Sequence, residues 1–172
     1  MKQRGVDYFF IGALEDIAYL YNIRGRDISA TPVTISFALV SQEEAFLYID
    51  KEKLSDEVVL YLQKTGIQLY EYDHIYDVIK TINKNVKIKK GTNLTSLMKA
   101  LKNPVEIENM KNAYLKDSVA LTKFFNWIET GVSTGNINEV LASNKLLDLR
   151  KEQEDFIEYS FETISAYGAN AA

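Results

Sequence analysis

The stretch on which the fold turns is Val33-Thr34-Ile35-Ser36-Phe37-Ala38-Leu39-Val40, followed by Ser41-Gln42-Glu43-Glu44 and Ala45-Phe46-Leu47-Tyr48-Ile49. Two β-rich runs around a four-residue polar link predict a hairpin. Downstream, Leu54 to Leu62 is amphipathic, with Val58, Val59 and Leu62 on one side and Gly66 closing the helix. Ile67-Gln68-Leu69-Tyr70-Glu71-Tyr72 then alternates apolar with polar, as a half-buried strand does. Upstream, Tyr8-Phe9-Phe10-Ile11 is a short apolar run closed by Gly12 and reads as a buried strand. Glu15 to Asn22 carries Ile17, Leu20 and Tyr21 at helical spacing, and Gly25 follows where a helix end favours a left-handed residue. A helix over Ile75 to Ile82, a strand over Val86 to Lys89 and a helix over Leu94 to Leu101 complete the pattern. Strands interleaved with helices predict an α/β fold with a mixed sheet flanked by helices.

At Asn103-Pro104 the character changes. Asn103-Pro104-Val105-Glu106 supplies an N-cap acceptor, a proline at the first helical position and a glutamate three residues after the cap. Ile107, Met110, Tyr114, Leu121, Phe124 and Ile128 keep helical spacing behind it for about 25 residues, until Gly131. Asn136-Ile137-Asn138-Glu139 repeats the capping pattern and opens a second helix with Val140, Leu141 and Leu147. Ile157, Tyr159, Phe161 and Thr163 then alternate with Glu158, Ser160, Glu162 and Ile164, which predicts a strand. The charge divides at the same place: 14 basic and 13 acidic side chains up to residue 103, against 6 and 11 beyond it. A domain boundary is expected there, giving domains of 1–103 and 104–172.

The composition narrows the chemistry. The chain has 172 residues, 47% hydrophobic and 26% charged, with net charge -4, no cysteine and one histidine, His74. These values fit a globular chain and exclude disulfides, thiolate metal sites and cysteine nucleophiles. A single histidine removes every His-His metal signature. No signal-peptide h-region and no apolar run of membrane-spanning length is present, so a cytoplasmic protein without membrane contact is expected. No Gly-rich phosphate loop and no nucleophile elbow occur.

The acidic clusters are Glu43-Glu44, Asp56-Glu57, Glu71 with Asp73, and Glu152 with Glu154-Asp155. Neighbouring residues on one element point apart, so these read as solvated faces rather than metal ligands. His74, at a strand-to-helix turn, reads as a cap or surface group. Lys80 to Lys102 holds seven lysines and no acid. It lacks arginine and stacking aromatics, so it reads as edge protection rather than a nucleic-acid footprint. In Arg24-Gly25-Arg26-Asp27 the planar fork of Arg24 could clamp a carboxylate. The plainer reading is a helix end with favourable cations and an aspartate starting the next turn.

Three stretches together carry a family resemblance. Leu14-Glu15-Asp16-Ile17-Ala18-Tyr19-Leu20, then Asn22-Ile23-Arg24-Gly25 with Asp27, then Pro32-Val33, resembles the middle domain of aminopeptidase P (Xaa-Pro aminopeptidase). Lys99 to Met110 resembles the junction where that family's catalytic domain begins. Ser160 to Ala172, with its Gly168-Ala169-Asn170-Ala171 stretch, resembles an early strand and loop of that domain.

The resemblance implies a creatinase/prolidase N-terminal-like α/β domain over 1–103, followed by the opening segment of a pita-bread catalytic domain over 104–172. It implies a parent enzyme that uses two Mn2+ ions to release the N-terminal residue preceding proline. Its metal ligands (two aspartates, one histidine and two glutamates) would lie beyond Ala172, as would a further catalytic histidine. No metal ligand and no catalytic residue is therefore carried over to this chain. Two departures from the family pattern are the missing N-terminal domain and a short segment between Ile82 and Val86, as if a strand-and-helix unit were absent.

The expectation drawn from the resemblance is a non-catalytic fragment that serves positioning and dimerisation in a metal-dependent Xaa-Pro aminopeptidase acting on peptides with proline second. Arg24 and Asp27 are the substrate-proximal candidates. Exposing Phe124, Phe125, Trp127 and Ile128 would be costly, so the long helix is expected to fold back or to join a homodimer. The rival reading is a binding or assembly module of the same fold without a catalytic half.

Overall fold

The computed structural model describes residues 1–82, 89, 91 and 93–171. They divide into two compact units, Met1–Leu101 and Lys102–Ala172. In the first, β1 (Phe9–Ile11), β2 (Ser36–Val40), β3 (Ala45–Ile49) and β4 (Ile67–Tyr70) form one sheet in the order β1-β2-β3-β4. β1 and β3 both run antiparallel to β2, and β4 runs parallel to β3. The expected hairpin is the β2–β3 pair, with Ala38 opposite Leu47 and Val40 opposite Ala45. Its turn is closed by Ser41, whose amide donates to the Glu44 carbonyl at 2.8 Å.

The alternation along the strands covers both faces. On one side Ile11, Ala38, Leu47, Ile49 and Ile67 pack with Ile17 and Tyr21 of α1 (Leu14–Tyr21) and Leu62 of α2 (Asp56–Lys64). On the other, Leu39 and Tyr48 pack with Ile75 of α3 (His74–Ile82). Tyr21 is buried, and its hydroxyl donates to the Phe46 carbonyl at 3.0 Å. That burial raises its pKa, with the nearby Tyr48 adding to the effect. α4 (Leu94–Ala100) completes the unit and packs beside α1.

The end of α1 differs from the sequence reading. Asn22, not Gly25, takes the left-handed conformation after α1 (φ 49°). Gly25 is required for space: a Cβ there would lie 2.7 Å from the Thr34 Cβ and 2.9 Å from the Val33 carbonyl. Gly66 does close α2 in the left-handed region (φ 78°), as expected.

In the second unit, α5 (Pro104–Gly131) begins with the predicted capping box. The Asn103 side chain accepts from the Glu106 amide at 2.9 Å, and Glu106 accepts from the Asn103 amide at 2.8 Å. α6 (Glu139–Lys151) is capped by Asn138 rather than Asn136; its side chain accepts from the Leu141 amide at 2.8 Å. The two helices pair through Arg150–Asp117 at 2.7 Å and Lys123–Glu152 at 2.7 Å. At 1.5 Å per residue α5 is about 42 Å long and α6 about half that. Within this unit Val105, Ile107, Met110, Tyr114 and Leu115 on the first half of α5 stay exposed.

The strand expected over Ile157–Ile164 does not form. Among the described residues no strand lies beside this segment to complete a ladder, and it remains irregular chain with Ile157, Phe161 and Ile164 exposed. Residues 86–88 of the strand expected at Val86–Lys89 lie outside the described residues.

Overpacking a closed interior costs about 1–3 kcal/mol. Gly25→Ala is expected to lower the unfolding free energy by that amount in urea titrations, because the neighbours it would meet are a β-carbon and backbone rather than a mobile side-chain end. An unchanged midpoint would contradict the close packing of this loop.

Candidate functional site

The residues between α1 and β2 form a tight loop. The Asp27 amide donates to the Val33 carbonyl at 3.2 Å, and Ile28 and Thr31 form an isolated bridge. Arg24 extends back to α1 and donates from Nη1 to the carbonyls of Ala18 at 2.8 Å and Ile23 at 2.9 Å. Ala18 is in the last turn of α1, where carbonyls lack helical partners and a cation is favoured.

Asp27 works on the other side of the loop. Its Oδ2 accepts from the Ile35 amide at 2.7 Å, the Thr34 hydroxyl at 3.0 Å and Lys53 Nζ at 3.0 Å. The Ile35 amide, first among these, and Lys53 hold its carboxyl below the usual range, against a smaller opposing effect of burial. Arg24 and Asp27 thus share a loop but bind different elements.

Asp27 reaches a shallow cleft through two of these partners. Ile35, Asp50, Lys53, Glu71, Tyr72 and Asp73 line a space of about 390 Å³. Asp50 follows β3 and Glu71 follows β4, so the cleft opens at the carboxyl ends of the two parallel strands. That is where open α/β sheets commonly receive ligands. Glu71 and Asp73 were legible as an acidic pair; Asp50 joins them only through the parallel pairing. Lys51 lies 3.7 Å from Glu71. His74 begins α3, is exposed, and stacks on Tyr70 with ring centres 5.4 Å apart.

Among the described residues no three histidine, cysteine, aspartate or glutamate side chains converge to hold a metal ion. The described residues therefore offer no ligand set for a dinuclear metal centre. Nor is any helix among them long and apolar enough to cross a membrane.

The sequence reading gave Asp16 no role of its own. It is 3% exposed in the first turn of α1. Its Oδ1 accepts from Lys99 Nζ at 2.6 Å, and its Oδ2 accepts from Asn93 Nδ2. Burial opposes ionisation of this carboxyl, but the Lys99 and Thr95 hydrogen bonds, the Lys99 charge and Asn93 outweigh it and lower the pKa. Lys99 was counted within the lysine-rich stretch; its pairing depends on the docking of α4.

Both aspartates ionise more readily folded than unfolded. Their contribution is present above the ordinary carboxyl value of 3.8 and is lost as pH falls through the lower folded values. Urea midpoints should therefore be steady at neutral pH and fall below about pH 4. Asp16→Asn should cost roughly 1–3 kcal/mol at neutral pH, less than a fully enclosed pair because Lys99 is partly solvated, and should flatten the acid fall. An acid fall as steep as that of the parent chain would contradict the role given to Asp16.

Comparison with known proteins places this geometry. Residues 1–89 match the family model of the Creatinase/Prolidase N-terminal domain. A probable Xaa-Pro aminopeptidase P of Pyricularia oryzae is 35% identical over 207 residues, covering 100% of this chain and 34% of the relative. Xaa-Pro aminopeptidase 1 of Dictyostelium discoideum is 33% identical over 196 residues, covering 100% of the chain and 31% of the relative.

The crystal structure of an X-prolyl aminopeptidase from Caenorhabditis elegans, described as a cytosolic enzyme with a di-nuclear active site, matches with a TM-score of 0.89. It is 29% identical and covers 96% of this chain and 31% of that one. The chain spans about a third of the length of the curated relatives it matches. Both curated matches extend over more residues than the 172 of this chain, so the relatives carry insertions relative to it. From the match over residues 1–89 and the agreement of these relatives, the chain belongs to the creatinase/prolidase N-terminal domain family, in its aminopeptidase P branch.

Proposed function

We propose that this chain is part of a cytoplasmic Xaa-Pro aminopeptidase that releases the N-terminal residue preceding proline, and that its 172 residues position and assemble rather than carry out the chemistry. The observation that carries this reading is the match of 96% of the chain, at a TM-score of 0.89, to an X-prolyl aminopeptidase. In it, residues 1–103 are the creatinase/prolidase N-terminal-like domain and residues 104–172 open the pita-bread catalytic domain. In this reading the two Mn2+ ions are held by residues outside this chain.

Arg24 and Asp27 act in this reading as shapers of the loop beside the cleft. Their partners belong to α1, the loop residues Ile23, Thr34 and Ile35, and Lys53, which favours positioning over direct contact with a peptide. The exposed Tyr114, Leu115 and Phe125 of α5 support assembly as a homodimer.

The reading is tested by assaying peptides with and without proline at the second position in the presence of Mn2+. The 172-residue chain should release no N-terminal residue and should show no stoichiometric Mn2+ site by calorimetry. The product of the whole gene should cleave only the proline-containing peptides. Cleavage by the 172 residues alone would overturn the division of labour, and an inactive whole product would favour a binding module of the same fold.

A further inference from the structure

The last helix of the first unit is attached mainly by polar contacts. α4 buries one residue completely, Thr95, while Leu97 is 65% and Met98 54% exposed, and Leu101 just after it is 80% exposed. Its contacts with α1 centre on Asp16. Lys99 and Asn93 both donate to that carboxylate. Asn93 also caps α4, its Oδ1 accepting from the Thr95 amide at 3.1 Å and the Thr95 hydroxyl at 2.7 Å. One buried carboxylate thus holds both ends of a seven-residue helix.

We propose that α4 is a latch, which Asp16 keeps closed against α1 and which opens as a local event while the sheet and α1 to α3 stay folded. Two physical arguments support local opening. The apolar side chains that anchor the rest of the unit belong to β1 to β4, α1 to α3 and the segments beside them, so opening α4 exposes little of that core. A helix of seven residues is also far below the length at which helices persist alone in water, so an undocked α4 melts rather than swinging as a rigid arm. Its position gives the event a consequence. α4 ends at Ala100, and α5 starts from the Asn103 cap, so opening turns residues 93–103 from an anchored segment into linker.

Hydrogen exchange at neutral pH on the 172-residue chain tests the latch, with Asp16→Asn and Lys99→Met compared with the parent. The amides of α4 should exchange at least tenfold faster in both variants, and trypsin should cut sooner after Lys102. The amides of β2 and β3 should stay better protected than those of α4, speeding up by no more than the measured loss of unfolding free energy allows, and those of α5 should keep the parent rates. Unchanged protection of α4 would overturn the proposal, and so would loss of α4 only together with the sheet. If Asp16→Asn fails to fold, Lys99→Met, which alters a partly solvated side chain, decides on the same criteria.

Discussion

The requirement that a four-stranded sheet be covered on both faces organises the first unit. β2 and β3 are paired on both edges, and Ala38 and Leu47, facing each other across that pair, are wholly removed from water. Such strands need helices above and below, because apolar side chains alternate to both sides. α1 and α2 meet one face and α3 the other. The parallel placement of β4 follows from the α2 crossover, since a parallel neighbour cannot be reached through a tight turn. It brings the ends of β3 and β4, and with them Asp50, Glu71 and Asp73, to one rim.

Carboxylates then tie the irregular pieces to this frame. Asp27 binds the start of β2 and the turn before α2, while Asp16 binds α4. A side-chain carboxylate suits this work because it accepts several donors at once and fills little space. Gly25 complements Asp27, letting the loop backbone approach Val33 and Thr34 more closely than a side chain would permit. The residues that carry the family resemblance, Asp16, Arg24, Gly25 and Asp27, are therefore joined by a structural role visible in this chain. That role explains their spacing without assigning them to the reacting atoms.

The helices and hairpin of both units were legible because each carries its own period and stop signals. The capping box at Asn103 and Glu106 is a local device, and it forms as read. The reading failed where a local signal competed with a geometric one. Gly25 resembles a helix terminator, yet Asn22 already ends α1, since asparagine tolerates the left-handed region. The segment Ile157–Ile164 has a strand's alternation, but alternation only offers a face and an edge; a strand also needs a neighbour to accept its hydrogen bonds.

By itself the sequence determined the α/β class, the hairpin, the change of character at Asn103, and the family, all of which rest on patterns spanning a few to a few dozen neighbouring residues. Only the tertiary structure decided that Asp16 faces Lys99 some eighty positions away, that Asp50 shares a rim with Glu71 and Asp73, and that Asp27 reaches Lys53. Those pairings depend on how helices dock and strands register. A side chain's partner across the fold is set by that packing, and no local period encodes it.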